Sequence, residues 1–180
     1  MAYQLKSISK AGIAEAIAKA ELYRYINEPE EAESICRDIL AIEPEQQLAR
    51  RMLGLAITDQ FIGAAADRYP EVLSIFQSLR DPYERLYYTG LLYERRAKAQ
   101  LLVGYAAHIL LPLIEEAMRC FAEAEKIRPA GNDDSILRWN RCVRLLESRP
   151  DFHFDRGPAS FDAEDSPPVS TATRPLGGHH

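Results

Sequence analysis

Residues 16–44 read AIAKAELYRYINEPEEAESICRDILAIEP, and this stretch decides the fold. It divides into two helices joined by a tight turn. Leu22, Tyr23 and Ile26 form an apolar stripe on the first, while Ala32, Ile35, Cys36 and Ile39 recur at helical spacing on the second. Asn27 is placed to cap the second helix, with Glu30 three residues on as its capping-box partner. Pro29 suits a first helical turn, whose amides have no partner to lose. Pro44 then stops the pattern and restarts the chain.

A small residue at Ala20, an aromatic at Tyr23, Ala32 nine positions after that and Pro44 twelve beyond resemble one tetratricopeptide repeat, a helical hairpin of about 34 residues. In that family the small side chains let two helices approach closely, the aromatic fills the gap between hairpins, and the proline sets the turn to the next unit. Two usual markers are absent. Ala16 stands where the family prefers Trp, and Lys19 where it prefers Leu.

The pattern recurs outward from this hairpin. Before it, the first helix runs from Ser9, an N-cap, to Tyr25, and the second spans Glu28–Ala41. After Pro44 a third helix carries Leu48, Met52, Leu55 and Ile62, with Leu53-Gly54 at the family's Leu-Gly position. Ala66 falls at the next expected alanine, but Tyr69-Pro70 interrupts. The partner helix therefore starts at Pro70, with Val72, Ile75, Phe76 and Leu79 on its apolar face. Asp81-Pro82 opens a third unit, in which Gly90 and Tyr93 repeat the small–aromatic pair, and Ala117, Phe121, Ala124 and Pro129 repeat the second-helix pattern. About fifteen extra residues, 98–112, separate those halves. Either the first helix is greatly extended or an additional apolar helix is inserted, with Pro112 starting the next one. A last helix, Ser135–Leu146, carries Ile136, Trp139, Val143 and Leu146 on one face and Arg138, Arg141 and Arg144 outward, as a capping helix should.

The resemblance therefore implies an all-α fold: a right-handed superhelical array of antiparallel helix hairpins, a solenoid of about seven helices. The domain covers residues 1–149, with about three hairpins and a capping helix. Five of the eleven prolines fall in residues 150–180, among Ser, Thr and Asp. That tail cannot bury enough surface to fold alone and reads as disordered.

Composition narrows the classes of function. With 180 residues, 47% of them hydrophobic, the chain is long enough for one real core. Its 22 basic and 27 acidic residues leave a net charge of -5, so no clustered basic face points to nucleic acid. Cys36, Cys120 and Cys142 are odd in number and lie in apolar helical patterns, which reads as buried free thiols in a reducing compartment. No basic start precedes an apolar leader, and the longest apolar run, Leu101–Ile114, is too short to span a bilayer. The expectation is a soluble, cytoplasmic protein with no membrane partner.

No phosphate-cradling glycine loop, zinc-protease helix, paired cysteines or nucleophile elbow is present, so neither cofactor nor metal is expected and the chain reads as non-catalytic. His108 lies alone in an apolar run and reads as a packed histidine; Glu115-Glu116 read as helix-start carboxylates. An enzyme or small-molecule site would need a polar pocket around His108 and Glu115 that the sequence does not reveal. Arg50-Arg51 and Arg95-Arg96 with Lys98 read as solvated charge, because adjacent helical residues point about 100° apart. Tyr83, Tyr87, Tyr88 and Tyr93 read mainly as packing rather than as a stacking platform.

The resemblance adds a groove. In the family, the first helix of each hairpin lines a concave face through its second, fifth, ninth and twelfth positions. Those correspond here to Ala14, Ile17, Glu21 and Arg24; Leu48, Arg51, Leu55 and Thr58; and Glu84, Tyr87, Leu91 and Glu94. The family's Lys/Asn/Arg clamp for a C-terminal carboxylate falls on Ile17, Glu21, Met52, Glu84 and Tyr88, none of which can serve. The implied role is a protein–protein interaction scaffold binding a peptide or helix in an apolar groove. The segment 98–112 either fills that groove or projects outward to pair with a second copy as a homodimer.

Overall fold

The structure is a computed structural model that describes residues 3–62 and 68–153. Among them are seven α-helices and no strand: α1 (Ile13–Tyr25), α2 (Pro29–Ile42), α3 (Gln47–Asp59), α4 (Tyr69–Gln77), α5 (Pro82–Leu102), α6 (Ala107–Lys126) and α7 (Asp134–Glu147). Each helix packs on the next in sequence, and α1 also touches α3, α3 touches α5, and α5 touches α7. The expected all-α class is what the chain adopts.

The first turn forms differently from the capping-box expectation. Asn27 takes a left-handed conformation, φ 63°, which its short polar side chain tolerates better than most. The Glu28 amide donates to the Tyr23 carbonyl at 2.8 Å and the Asn27 amide to Arg24 at 3.1 Å, the paired bonds of a Schellman ending. Asn27 therefore closes α1 instead of capping α2. The second helix starts on Pro29 at its first position, with Glu30 and Glu31 in the first turn favouring its dipole. Ser9 does cap its helix: its hydroxyl accepts from the Gly12 amide at 3.2 Å, opening a 3₁₀ turn, Lys10–Gly12, that leads into α1.

Hairpin packing rests on glycine against ring. A Cβ on Gly54 would lie 2.7 Å from Phe76 Cζ, and one on Gly90 would lie 2.8 Å from Phe121 Cε1. Both distances are closer than carbon atoms can pack, so these backbones approach their partner rings only because the side chain is missing. Ala20, Ala32, Val72, Phe76, Ala117 and Phe121 are all fully buried around these crossings. One cluster runs from Ala20 through Phe76 to Leu92, and a second from Ala97 through Phe121 to Phe152. They divide along α5.

Several expected faces move. Leu22 and Ile26 are about half exposed, and α1 buries Ile13 and Ala20 instead. Ile62 lies past the end of α3 and is exposed. Ala66 and the proline-rich residues from 154 onward, His179-His180 among them, lie outside the described residues. In α7 the buried set is Ser135, Cys142 and Leu145, one position from the expected stripe, and Arg138 turns inward. The extra residues 98–112 are shared between two long helices: α5 has 21 residues and α6 has 20, joined by a turn in which Gly104 adopts φ 93°. Pro112 lies inside α6 rather than at its start. It is exposed, so water can serve the carbonyl whose amide partner it lacks. Beyond α7, Pro150–Phe152 form a 3₁₀ turn that buries Phe152 against α6 and α7.

Glu33 ties three helices together. It accepts from Arg37 of its own helix at 2.6 Å, from Arg68 just ahead of α4 at 2.6 Å, and from Gln60 at the end of α3 at 2.7 Å. The hydrogen bonds from Arg68 outweigh burial and hold the Glu33 carboxyl at about 2, below its usual 4.5. A depressed carboxyl contributes stability that is present above 4.5 and lost as pH falls through its folded value. Urea unfolding should therefore show wild type losing about 2 kcal/mol relative to Glu33→Gln between pH 5 and pH 2, with the solvent-screened guanidinium partners limiting the figure. Parallel pH curves for the two proteins would show that the cluster carries no net stability. Gly54→Ala should lower stability by about 1–3 kcal/mol through overpacking, against the ~1 kcal/mol gain that alanine brings to an unhindered helix. A raised denaturation midpoint would mean that Phe76 yields without strain.

Candidate interaction surface

The expected groove residues fall into three groups. Ile17, Glu21 and Leu48 are at least partly open to solvent, Leu48 and Glu21 being exposed and Ile17 packing partly against the Ile13–Ile39 cluster. Arg24, Arg51 and Leu55 are half-buried, and both arginines are already engaged. Arg24 Nε donates to Asp59 at 2.8 Å, and Arg51 Nη1 to Glu84 at 2.6 Å. Leu91 and Glu94 lie inside, and Tyr87 is half-buried. Tyr87 packs among Tyr83, Tyr88 and Phe121 with centroids 5.8, 5.0 and 6.0 Å away, while Leu91 is 2% and Glu94 0% exposed.

An ion-pair row runs across the odd-numbered helices. Asp59 of α3 joins Arg24 of α1 to Arg95 of α5, and Arg95 also donates to Thr58 at 2.6 Å. Burial lowers the Arg95 guanidinium, and the neighbouring Asp59 opposes that shift. Further on, Glu94 pairs with Lys98, and its second oxygen lies 3.6 Å from Arg138 of α7 with no hydrogen bond among the described residues. The row holds the odd-numbered helices side by side and occupies the charges that a passing peptide would otherwise meet.

The basic pairs have internal partners. Arg50 donates to the Pro44 carbonyl at 2.8 Å and to that of Ser78 at 3.3 Å, and Arg96 stacks over Tyr69 at 4.2 Å. Tyr88 stacks on Phe76 with centroids 5.4 Å apart, and burial raises its hydroxyl to about 12. The tyrosines are packing elements. His108 is exposed, contrary to the packed-histidine reading, because the early start of α6 turns that position to solvent. For the same reason Glu115 and Glu116 fall mid-helix, where Glu116 pairs with Arg119 at 2.9 Å. Among the described residues no group of three His, Cys, Asp or Glu side chains could hold a metal ion. No described helix is long and apolar enough to cross a membrane.

The sequence did not reveal which side chains the long α5–α6 hairpin leaves in water. Leu102 is 85% and Ile109 60% exposed, and Val103 and Tyr105 beside them are about half exposed. Their turn carries the left-handed Gly104, where a Cβ would point into open space. Below this tip a groove of about 230 Å³ opens between α5 and α7, lined by Lys98, Leu101, Leu102, Arg141, Leu145 and Arg149. A second groove, about 460 Å³, lies at the N-terminal end of the helices around Ile8, Ala16 and Ile35. No protein-family model, curated protein or solved structure matches the chain.

All three cysteines are buried. Desolvation raises the thiols of Cys36 and Cys142 to about 12 and that of Cys120 to about 11, so the thiolate that reacts is scarce at neutral pH. Ellman's reagent at pH 8 should register no fast thiol in the native protein and three after denaturation. A fast native thiol would expose a reactive cysteine and overturn this assignment.

Proposed function

We propose that the chain is a tetratricopeptide-like helical array whose work is to hold another protein, with no chemistry of its own. The observation that carries this reading is the repeated glycine-on-ring crossing, Gly54 on Phe76 and Gly90 on Phe121, at the positions where the repeat pattern calls for small residues. Contacts between alternate helices fit the same arrangement. The partner is a peptide or an amphipathic helix, and its docking face is the open part of α1 and α3, through Ile17, Glu21, Leu48 and the flanks of Arg51 and Leu55. Leu91 and Glu94 are buried and take no part.

A second reading, self-association through the α5–α6 tip, has its own observation in the exposed Leu102, Val103, Tyr105 and Ile109. Burying those four side chains contributes roughly 6 kcal/mol. Association costs about 4–15 kcal/mol in lost freedom before any contact is counted. The tip alone therefore gives a weak dimer at best, and the scaffold reading takes precedence.

Light scattering of the purified chain should give a monomer at micromolar concentration. Crosslinking in native lysate should recover a partner with wild type, and recovery should fall at least tenfold with Leu48→Asp or with the exposed Glu21→Arg but not with Leu102→Asp. Equal recovery by all three variants would sink the docking face. Leu91→Asp is not a usable groove variant, because that side chain is in the core.

A further inference from the structure

We propose that the groove between α5 and α7 is the seat of the chain's own acidic tail segment Phe161-Asp162-Ala163-Glu164-Asp165. The groove has an apolar floor of Leu101, Leu102 and Leu145 and a cationic rim of Lys98, Arg141 and Arg149. Lys98 is paired with the buried Glu94 and Arg149 with Asp151, whereas Arg141 and its neighbour Arg144 form no ion pair among the described residues. In a chain whose net charge is -5, this rim gathers three cations, and one of them, Arg141, has no ion-pair partner among the described residues.

The segment that matches it lies in the same chain. Residues 154–180 lie outside the described structure. Their densest acidic stretch is FDAED, with three carboxylates within five residues and one aromatic at its head. Buried Phe152 fixes the point of departure, and Arg149, three residues earlier, already forms one wall of the groove. The nine residues from Phe152 to Phe161 reach about 30 Å when extended, farther than the distance to the adjoining groove requires. A volume of about 230 Å³ admits one aromatic side chain and little more. Phe161 would occupy the leucine floor, and Asp162, Glu164 and Asp165 would meet the rim of Lys98, Arg141 and Arg149. Tethering holds the segment at an effective concentration in the millimolar range, so a weak contact suffices to keep it seated. The seated tail covers Leu102, the most exposed apolar side chain of the tip. This assignment rests on the groove and its charges and stands whether or not the repeat reading does.

Cleavage after Glu164 by a glutamate-specific protease, in the full chain at low salt, tests the seat. Cleavage of a sequestered site follows the open fraction when opening and closing are fast. A tail seated nine-tenths of the time should be cut about tenfold more slowly than the free peptide of residues 154–172. Arg141→Glu should abolish that protection, and Arg141→Glu combined with Asp162→Arg and Asp165→Arg should restore it. Arg141 is exposed, so the single variant keeps the fold, and its circular dichroism should match wild type. Cleavage of the wild-type chain as fast as the peptide overturns the proposal, as does protection that Arg141→Glu leaves intact. Protection that increases with protein concentration also overturns it, because the tail would then seat on a second copy.

Discussion

The constraint on which the rest depends is a glycine backbone pressed against a phenyl ring, once at Gly54 and Phe76 and again at Gly90 and Phe121. Removing Cβ from an odd-numbered helix lets the ring of its partner sit on bare backbone, where dispersion contacts are densest. The crossing then fixes which residues can surround it. Ala20, Ala32, Ala56 and Ala117 are buried near these contacts because larger side chains would force the helices apart. Both crossings lead into α5, which contributes Leu92 to one cluster and Ala97 to the other. The two clusters are therefore coupled through one helix.

Charge acts on top of this packing, with a different role. Most ion pairs are at least partly in water, where each contributes well under a kilocalorie. Glu94 differs because it is fully buried, and only Lys98 and the more distant Arg138 compensate it. Removing either cation would leave a buried carboxylate underpaired, which costs far more than the pair returns. The arrangement therefore discriminates more than it stabilises. α7 in any other register would carry Arg138 away from Glu94, and the buried charge would disfavour that register.

How far the sequence could be read depended on which signal each element carried. The even-numbered helices α2, α4 and α6 each bury one strong stripe, and Ala32, Cys36, Val72, Phe76, Ala117 and Phe121 all lie where periodicity places them. α1 misled because no described α-helix precedes it, so Leu22 and Ile26 look like core residues and stay half exposed. Asn27 fits both the start of one helix and the end of another, and the left-handed backbone that decides between them leaves no separate mark in the sequence. In α7, Trp139 draws attention to the wrong face, whereas the buried positions are held by the inconspicuous Ser135 and Cys142. Pro112 carried a strong local signal and did not break α6, since an exposed proline in a long, well-packed helix costs one hydrogen bond that water can replace.

The candidate surface followed the same logic. The groove positions taken from the family pattern fall on the odd-numbered helices, and there Arg24, Arg51 and Glu94 are consumed by neighbours within the chain. A charge already paired and half-buried gives little to a newcomer, because docking would exchange one satisfied contact for another. Unspent contact capacity lies at the lengthened α5–α6 hairpin. Leu102 and Ile109 face water there, and Arg141, which lines one groove with Leu102, has no ion-pair partner among the described residues. Apolar side chains in water flanked by uncompensated cations favour an occupant that is both apolar and acidic. A conventional alternation of polar and apolar residues along the hairpin would have left no such preference. Residues 98–112, which lengthen that hairpin, therefore bring exposed apolar side chains up against a cation that no described residue pairs.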